Sequence, residues 1–124
     1  KDLVRNLLDP IGHTQIFLLS EEVRGNDLVL SYVYFNNFKN ANLENANFKN
    51  TELWYASFSF ADFTNADLSG ADLRNTYFGN ADFTGANLSG ANLEGAVLDN
   101  AILTNANLSG ANLNCVGHEI CTIN

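Results

Sequence analysis

The 124-residue sequence is long enough for one domain with a modest hydrophobic core. Fourteen Asp and Glu residues against six Lys and Arg residues give a net charge of −8, which argues against nucleic acid or an anionic membrane as partner. No apolar run approaches the ~20 residues of a membrane span, and the first residues do not resemble a signal peptide. Because the chain contains no Met, we expect a processed form or a piece of a longer protein.

Residues 1–25 do not share the pattern of the rest of the chain. The stretch "DLVRNLLDP" predicts a short helix with Asp2 as N-cap and Pro10 beyond its end. The stretch "HTQIFLLS" is apolar and fits a strand or a second helical turn equally well. We expect a partly helical cap over the first coil of a repeat structure, because terminal repeats need covering. The less favoured alternative is an independent functional segment.

A five-residue repeat fills the remainder. From Leu43 to Leu113 every fifth residue is Leu or Phe, and two residues earlier, from Ala41 to Ala111, every fifth residue is Ala or Thr. The residue between these two positions is usually Asp or Asn. A five-residue step would scatter the Leu positions around a helix and alternate them across a flat strand. The chain must therefore turn once per repeat, with Leu and Ala inward and the residue between them outward.

The words "ANLEN", "ADLSG", "ADFTG" and "ANLSG" resemble the pentapeptide-repeat family. The resemblance is tight over residues 41–115 and extends loosely back to Asn26 through "NDLVL", "SYVYF" and "NNFKN". It implies an all-β fold, a right-handed quadrilateral β-helix with four pentapeptides per coil. We therefore predict a cap over residues 1–25, a β-helix of about four and a half coils over residues 26–115, and a C-terminal tail over residues 116–124.

Residues twenty apart should stack in columns about 4.8 Å apart. One outward column has the composition of an interface and contains Tyr34, Trp54, Arg74 and Glu94. Further aromatic residues fall on the same face or its corner: Tyr32, Phe35, Tyr55 and Phe60. We predict a partner-binding surface formed by Tyr34, Trp54, Tyr55 and Arg74, with a cation–π contact between Arg74 and Trp54. Coverage of this surface by the N-terminal segment is an equally weighted alternative.

A second apolar spot lies nearer the C-terminus. Tyr77 and Val97 share a column, and Ile102 lies around the corner, so that Val97 and Ile102 replace the usual Asp or Asn. This spot could be a homodimer contact, as the resemblance implies for the C-terminal end of some family members. It could equally lie beneath the tail.

The tail "NCVGHEICTIN" contains both cysteines. Cys115 and Cys121 could close a seven-residue loop as a disulfide, which would favour an exported, periplasmic or lumenal location. Two free thiols in a reducing cytoplasm remain the alternative. Two Cys and one intervening His, His118, match no standard zinc finger.

The sequence predicts neither an enzyme nor a metal or cofactor site, since no nucleophile and base share a recognisable spacing and a packed prism lacks a cleft. The first function hypothesis is a non-catalytic structural or protein-interaction module with an unidentified protein partner. The alternative, implied by the resemblance, is an acidic DNA mimic that binds a DNA-handling enzyme such as gyrase. Residues 26–115 carry nine acidic and three basic residues over a rod of ~22 Å, where duplex DNA carries about thirteen phosphates. The mimic therefore ranks below the interaction module.

Overall fold

The computed structural model describes residues 18–24, 27–33 and 37–122, the first two ranges for their backbone alone. β1 (Leu18–Arg24) pairs antiparallel with β2 (Asp27–Val33), and the register runs from Arg24↔Asp27 to Leu18↔Val33. The β2 strand lies inside the range 26–115 that the sequence assigns to the β-helix. The predicted N-terminal helix lies outside the described residues.

The hairpin differs from the sequence-based boundary for a local reason. In the five-residue frame, Leu30 occupies the position at which the later repeats carry Asn or Gly with positive φ. Ser31 replaces the small apolar Ala of the inward slot. Without a residue that favours the left-handed region, the chain continues as an extended strand and pairs with β1.

A parallel β-helix with twenty residues per coil begins at Asn37. Single-residue bridges join each outward residue to the one twenty positions later, as in Asn42↔Asp62 and Asp62↔Asp82. Each bridge has two backbone hydrogen bonds: Asp62 N donates to Ala41 O at 2.9 Å, and Leu43 N donates to Asp62 O at 2.8 Å. The repeats thus form a prism whose rungs are joined by parallel β pairing.

The corners of the prism repeat the same turn. From Phe38 to Leu108, the second residue after each inward Leu or Phe has a positive φ of 57–72° and is Asn or Gly in nearly every repeat. An outward Asp or Asn fixes the turn through its side chain: Asp62 Oδ1 accepts from Thr64 N at 2.9 Å and from Thr64 Oγ1 at 2.6 Å. The turn chemistry therefore explains why this sequence is rich in Asn, Asp, Gly and Ser.

The interior is a continuous stack of Ala, Leu and Phe side chains. Successive Phe rings lie nearly parallel, with centroids 4.7 Å apart for Phe38 and Phe58 and 4.9 Å apart for Phe63 and Phe83. Thr51 and Thr76 occupy inward Ala slots and are fully buried, and Thr76 Oγ1 donates to Leu53 O at 3.1 Å. The inward and outward assignments made from the five-residue period hold throughout residues 37–113.

The last coil is one residue short. Val97 pairs with Val116, nineteen residues on, so Cys115 rather than residue 116 occupies the buried inward slot. Val116 N donates to Ala96 O, and Leu98 N donates to Val116 O, both at 2.9 Å. The β pairing thus reaches the predicted tail, and the shortened repeat turns the Val116 side chain outward.

Candidate interaction surface

Four outward columns define the four sides of the prism. We name each side after one member of its column, with the members as follows: the Tyr77 face (Asn37, Ser57, Tyr77, Val97, Val116), the Asp62 face (Asn42, Asp62, Asp82, Ile102), the Asp67 face (Asn47, Asp67, Asn87, Asn107) and the Asp72 face (Glu52, Asp72, Asn92, Asn112). Within residues 37–122, only the Tyr77 face has a column without a charged residue. The chemistry of its column therefore differs from that of the other three.

The exposed large apolar side chains of the described residues gather around this face. Each is 47–55% exposed, and they are Tyr55, Phe60, Tyr77, Ile102 and Val116. Tyr77 and Val116 belong to the column itself, while Tyr55 and Phe60 are at the corners where the chain enters and leaves the face. Ile102 belongs to the adjoining Asp62 face. Tyr55 of the predicted aromatic surface and Tyr77 of the predicted C-terminal spot thus lie beside or on the same face.

Tyr55 and Phe60 have backbone conformations that aromatic residues rarely adopt. Their φ angles are 63° and 61°, in the left-handed region. Every other positive-φ residue between Asn40 and Gly117 is Asn or Gly, which tolerate this region far better. Such strain persists where surrounding structure enforces it, and it clusters at functional surfaces. The two rings are therefore kept at these corners against the conformational preference of their backbone.

Trp54 and Arg74 lie along the corner between the Asp72 and Tyr77 faces. Trp54 is half-buried, and the exposed Arg74 guanidinium binds the Asp72 carboxylate through Nε and Nη2 at 2.8 and 2.7 Å. The hydrogen bonds that Arg74 donates to Asp72, and then the charge of Asp72, raise the pKa of Arg74 further above its usual value. The predicted column is thus anchored by a bidentate ion pair, whereas Tyr34 lies outside the described residues.

Carboxylates on the other faces serve the turns. Asp67 Oδ1 accepts from Ser69 N at 2.9 Å and from Ser69 Oγ at 2.6 Å, and Asp82 binds Thr84 in the same way. Among the residues that the structure describes, no three His, Cys, Asp or Glu side chains cluster as metal ligands would. In the same residues, no helix is long and apolar enough to span a membrane. Asp67 and Asp82 thus have a structural role in the turns.

The C-terminal segment closes over the last coil. Cys115 and Cys121 form a disulfide, and the partly buried Ile120 packs against the hydrophobic core. Ile120 N donates to His118 Nδ1 at 3.2 Å, so the proton lies on Nε2, which donates to Ala101 O at 3.1 Å. His118 therefore donates a hydrogen bond to the Ala101 carbonyl, whose counterparts in the earlier coils accept from a backbone N–H of the next coil. A 390 Å³ cavity lies between this segment and the rung of Ile102.

Two features of the site were missed from the sequence. The five-residue frame places Val116 in the tail because the shortened repeat shifts the frame by one residue, and the signal of this shift is Cys115, four rather than five positions after Ala111. The pair of Arg74 and Asp72 was missed because columns relate residues twenty apart, whereas this ion pair joins residues two apart.

Comparison with known proteins identifies the architecture. The family model for pentapeptide repeats matches residues 41–80 and 76–114. This chain is a pentapeptide-repeat protein. A pentapeptide repeat protein from the cyanobacterium Cyanothece 51142 is 31% identical with a TM-score of 0.70, over 78% of this chain and 67% of that chain. One from Nostoc PCC 7120 is 41% identical with a TM-score of 0.62, over 64% of this chain and 68% of that chain.

A third structure, from the Arabidopsis thaliana thylakoid lumen, is 31% identical with a TM-score of 0.47, over 64% of this pentapeptide-repeat chain and 59% of that chain. A comparison with curated proteins finds no match. The family match and the two cyanobacterial structures confirm the predicted family and its β-helical fold class.

Proposed function

We propose that this pentapeptide-repeat protein is a non-catalytic interaction module that presents the Tyr77 face to a protein partner. The observation that carries the proposal is the gathering of the exposed large apolar side chains of residues 37–122 around one uncharged column. Scattered exposed apolar residues need no explanation, whereas a contiguous patch of several hundred Å² marks an interaction site. The proposal includes Trp54, Tyr55 and Arg74 on the corner beside this face.

The rigidity of the scaffold supports the same function. Side chains on the Tyr77 face are held by bridges on both sides of Tyr77 and Val97, so that binding orders little of the backbone. The aromatic rings of Tyr55 and Phe60 are also large rigid contacts with few torsions to immobilise. A partner would therefore meet a preformed surface.

A capture experiment tests this function. The purified chain and two variants are immobilised and exposed to an extract of the source organism, and bound proteins are quantified by mass spectrometry. Tyr77→Asp places a charge on the Tyr77 face in a slot where Asp62 and Asp82 show that Asp fits. Asn107→Asp adds the same charge on the opposite Asp67 face and is the matched control. We expect a protein that the unmodified chain and Asn107→Asp retain and Tyr77→Asp loses; equal retention by all three chains argues against the proposal.

Three finer features belong to the same proposal. The prism has the right-handed quadrilateral form of its family, with about four coils between Asn37 and Val116 and an N-terminal cap. Tyr77, Val97 and Ile102 contribute to a contact between two copies of the chain. The disulfide of Cys115 and Cys121 supports an exported, periplasmic or lumenal location, because such bonds persist in oxidising compartments.

DNA mimicry is the second candidate, favoured by the acidic Asp62 and Asp72 faces. Residues 37–122 carry nine Asp and Glu residues against three Lys and Arg residues. One of these carboxylates, on Asp72, is already paired with Arg74, and the charge density is below that of duplex DNA. A gyrase supercoiling assay tests this candidate: titratable inhibition or protection favours mimicry, and an unchanged reaction rate argues against it.

A further inference from the structure

The distribution of charge favours a particular partner for the Tyr77 face. The whole chain has a net charge of −8, so two copies repel one another in most orientations. The Tyr77 column carries no charge, and the columns of the adjoining Asp62 and Asp72 faces point away from it around the prism. Two Tyr77 faces can therefore approach with no carboxylate from either column between them, and physiological salt screens the other charges over ~8 Å.

We propose that the Tyr77 face binds a second copy of this chain, face to face and antiparallel, with the two-fold axis between the rungs of Tyr77 and Val97. This proposal rests on the proposed interaction function and names its partner. It differs from a contact at the C-terminal end because the prisms lie side by side. In this arrangement Tyr77 of each copy packs on Val97 of the other, and Ser57 meets Val116.

The charged corner beside the face sets the direction. Arg74 lies at the corner of the Tyr77 rung, and Glu94 lies at the same corner one rung further. In an antiparallel dimer, the two-fold axis places the same corner of both copies next to each other and pairs the Tyr77 rung of one copy with the Val97 rung of the other. Arg74 of each copy therefore lies opposite Glu94 of the other, which gives two such pairs. Both side chains are exposed, and the bidentate pair with Asp72 leaves the Nη1 of Arg74 as a further donor.

A parallel two-fold gives the opposite electrostatics. It brings the corner that carries Glu94 against the other corner of the face, where Asp99 lies on the same rung. Two like-charged pairs then replace two opposite-charged pairs, which disfavours the parallel arrangement. The charges at the corners are therefore self-complementary in one direction alone.

The area of the patch indicates the strength of the dimer. Half-exposed Tyr55, Phe60, Tyr77 and Val116 together offer roughly 400 Å² of apolar surface per copy. A pair would bury about 800 Å² of such surface, below the ~1,200 Å² of stable interfaces and in the range of weak, transient ones. We therefore expect a concentration-dependent dimer rather than a permanent one.

Sedimentation equilibrium of the purified, oxidised chain tests the proposal, over about 5 to 500 µM, the range suited to a weak interface. We expect a monomer–dimer equilibrium that Tyr77→Asp weakens by about tenfold or more, because the two-fold repeats the change. Asn107→Asp should leave the dissociation constant unchanged. Circular dichroism spectra matching the unmodified chain verify that all variants fold.

A charge reversal tests the direction. Glu94→Arg should weaken the dimer severalfold, because Arg74 then meets Arg at position 94 of the second copy. The double variant Arg74→Glu with Glu94→Arg should recover most of the loss. In a parallel dimer Glu94→Arg would meet Asp99 and strengthen association, which would overturn the antiparallel arrangement.

The outcomes separate this inference from the proposed function. A chain that stays monomeric at 500 µM overturns the dimer, yet leaves the capture of a different protein by the Tyr77 face intact. A dimer that Tyr77→Asp does not weaken also overturns it, since the copies then meet elsewhere. The salt dependence of the dissociation constant provides a further test. Salt screens the repulsion between two acidic copies, so added salt should leave the dimer unchanged or strengthen it, whereas it would weaken a complex with a basic protein.

Discussion

The Tyr77 face and the Asp67 face lie on opposite sides of the prism and share one backbone. In both, each outward residue bridges the one in the next coil, and most inward neighbours are Ala, Leu or Phe, with the buried Thr76 beside Tyr77. On the Asp67 face the outward side chains bind the following turn, as Asp67 binds Ser69. Tyr77 and Val97 cannot make that bond. The difference shows that the fold does not dictate the outward residue, so the turns do not require Tyr77 or Val97 at these positions.

We expect the largest loss of stability from a substitution in the interior that both faces share. Phe58→Ala removes a buried ring that stacks on Phe38 and Phe78, with centroids 4.7 and 5.5 Å away. We expect a loss of about 3–5 kcal/mol in the free energy of unfolding, from burial and from the cavity that remains. Urea denaturation followed by circular dichroism measures it. A loss below about 1 kcal/mol would show that the ring stack is dispensable and that the shared interior does not hold the two faces together.

Removal of the disulfide should have the next largest effect, at the C-terminal rung of the Tyr77 face. The bond between Cys115 and Cys121 holds Val116 on its rung and the following segment over the core. A double Cys→Ser substitution should lower stability by about 2 kcal/mol through the entropy of a seven-residue loop. Thermal unfolding compares this variant with the oxidised chain. If adding reductant to the unmodified chain leaves its midpoint in place, then the disulfide contributes little.

Two substitutions test the difference between the faces: one removes a turn-binding side chain from the Asp67 face, and the other adds one to the Tyr77 face. Asp67→Ala deletes the bonds to Ser69 and should cost about 1 kcal/mol. Tyr77→Asn introduces the same type of side chain on the opposite face, where its oxygen can accept from the Gly79 N–H, and should gain about 0.5 kcal/mol. Chemical denaturation of both variants measures the two signs. A loss for Tyr77→Asn would show that the exposed ring stabilises the chain by itself, which weakens the case for a functional surface.

An effect of similar size concerns the strained corner of the Tyr77 face. Phe60→Asn places the residue of Asn40, Asn80 and Asn100 in the same column position, with φ near 60°. Relief of the left-handed strain should raise stability by about 0.5–1 kcal/mol, while partner binding weakens. Differential scanning calorimetry measures the first effect, and sedimentation the second. Ser59→Ala, at the neighbouring position, is the control for a change at this corner that leaves residue 60 in place. A destabilised Phe60→Asn would contradict the strain argument.

Much of the fold could be predicted from the sequence because the rule is local. The period from Leu43 to Leu113 fixes which residues point inward, and a step of twenty fixes which outward residues are neighbours. The antiparallel hairpin of β1 and β2 did not follow from the rule, because loose repeats near Asn26 satisfy part of the pattern and tertiary pairing decides the rest. The outward position of Val116 did not follow from the rule either, because one missing residue shifts every later residue in the five-residue frame.

The individual residues of the candidate site could be predicted from the sequence, but their placement on a common surface could not. Tyr77 and Val97 were recognisable as apolar residues in outward slots, and Tyr55 as an exposed aromatic. Their membership of one surface depends on the corner positions of Tyr55 and Phe60, which a map of columns alone does not relate to the Tyr77 face. The ion pair of Arg74 and Asp72 depends on side-chain geometry within one turn, which periodicity does not specify.

The twenty-residue coil has a consequence for how such a surface tolerates insertions and deletions. Removing one five-residue word from between Tyr77 and Val97 would keep every inward slot filled and leave a foldable prism. It would also move Val97 and everything after it by a quarter turn, so that Val97 and Val116 would no longer stand under Tyr77. Only the loss or gain of four words together preserves the column. The fold therefore tolerates insertions and deletions in steps of five residues, whereas the column of the Tyr77 face tolerates them only in steps of twenty.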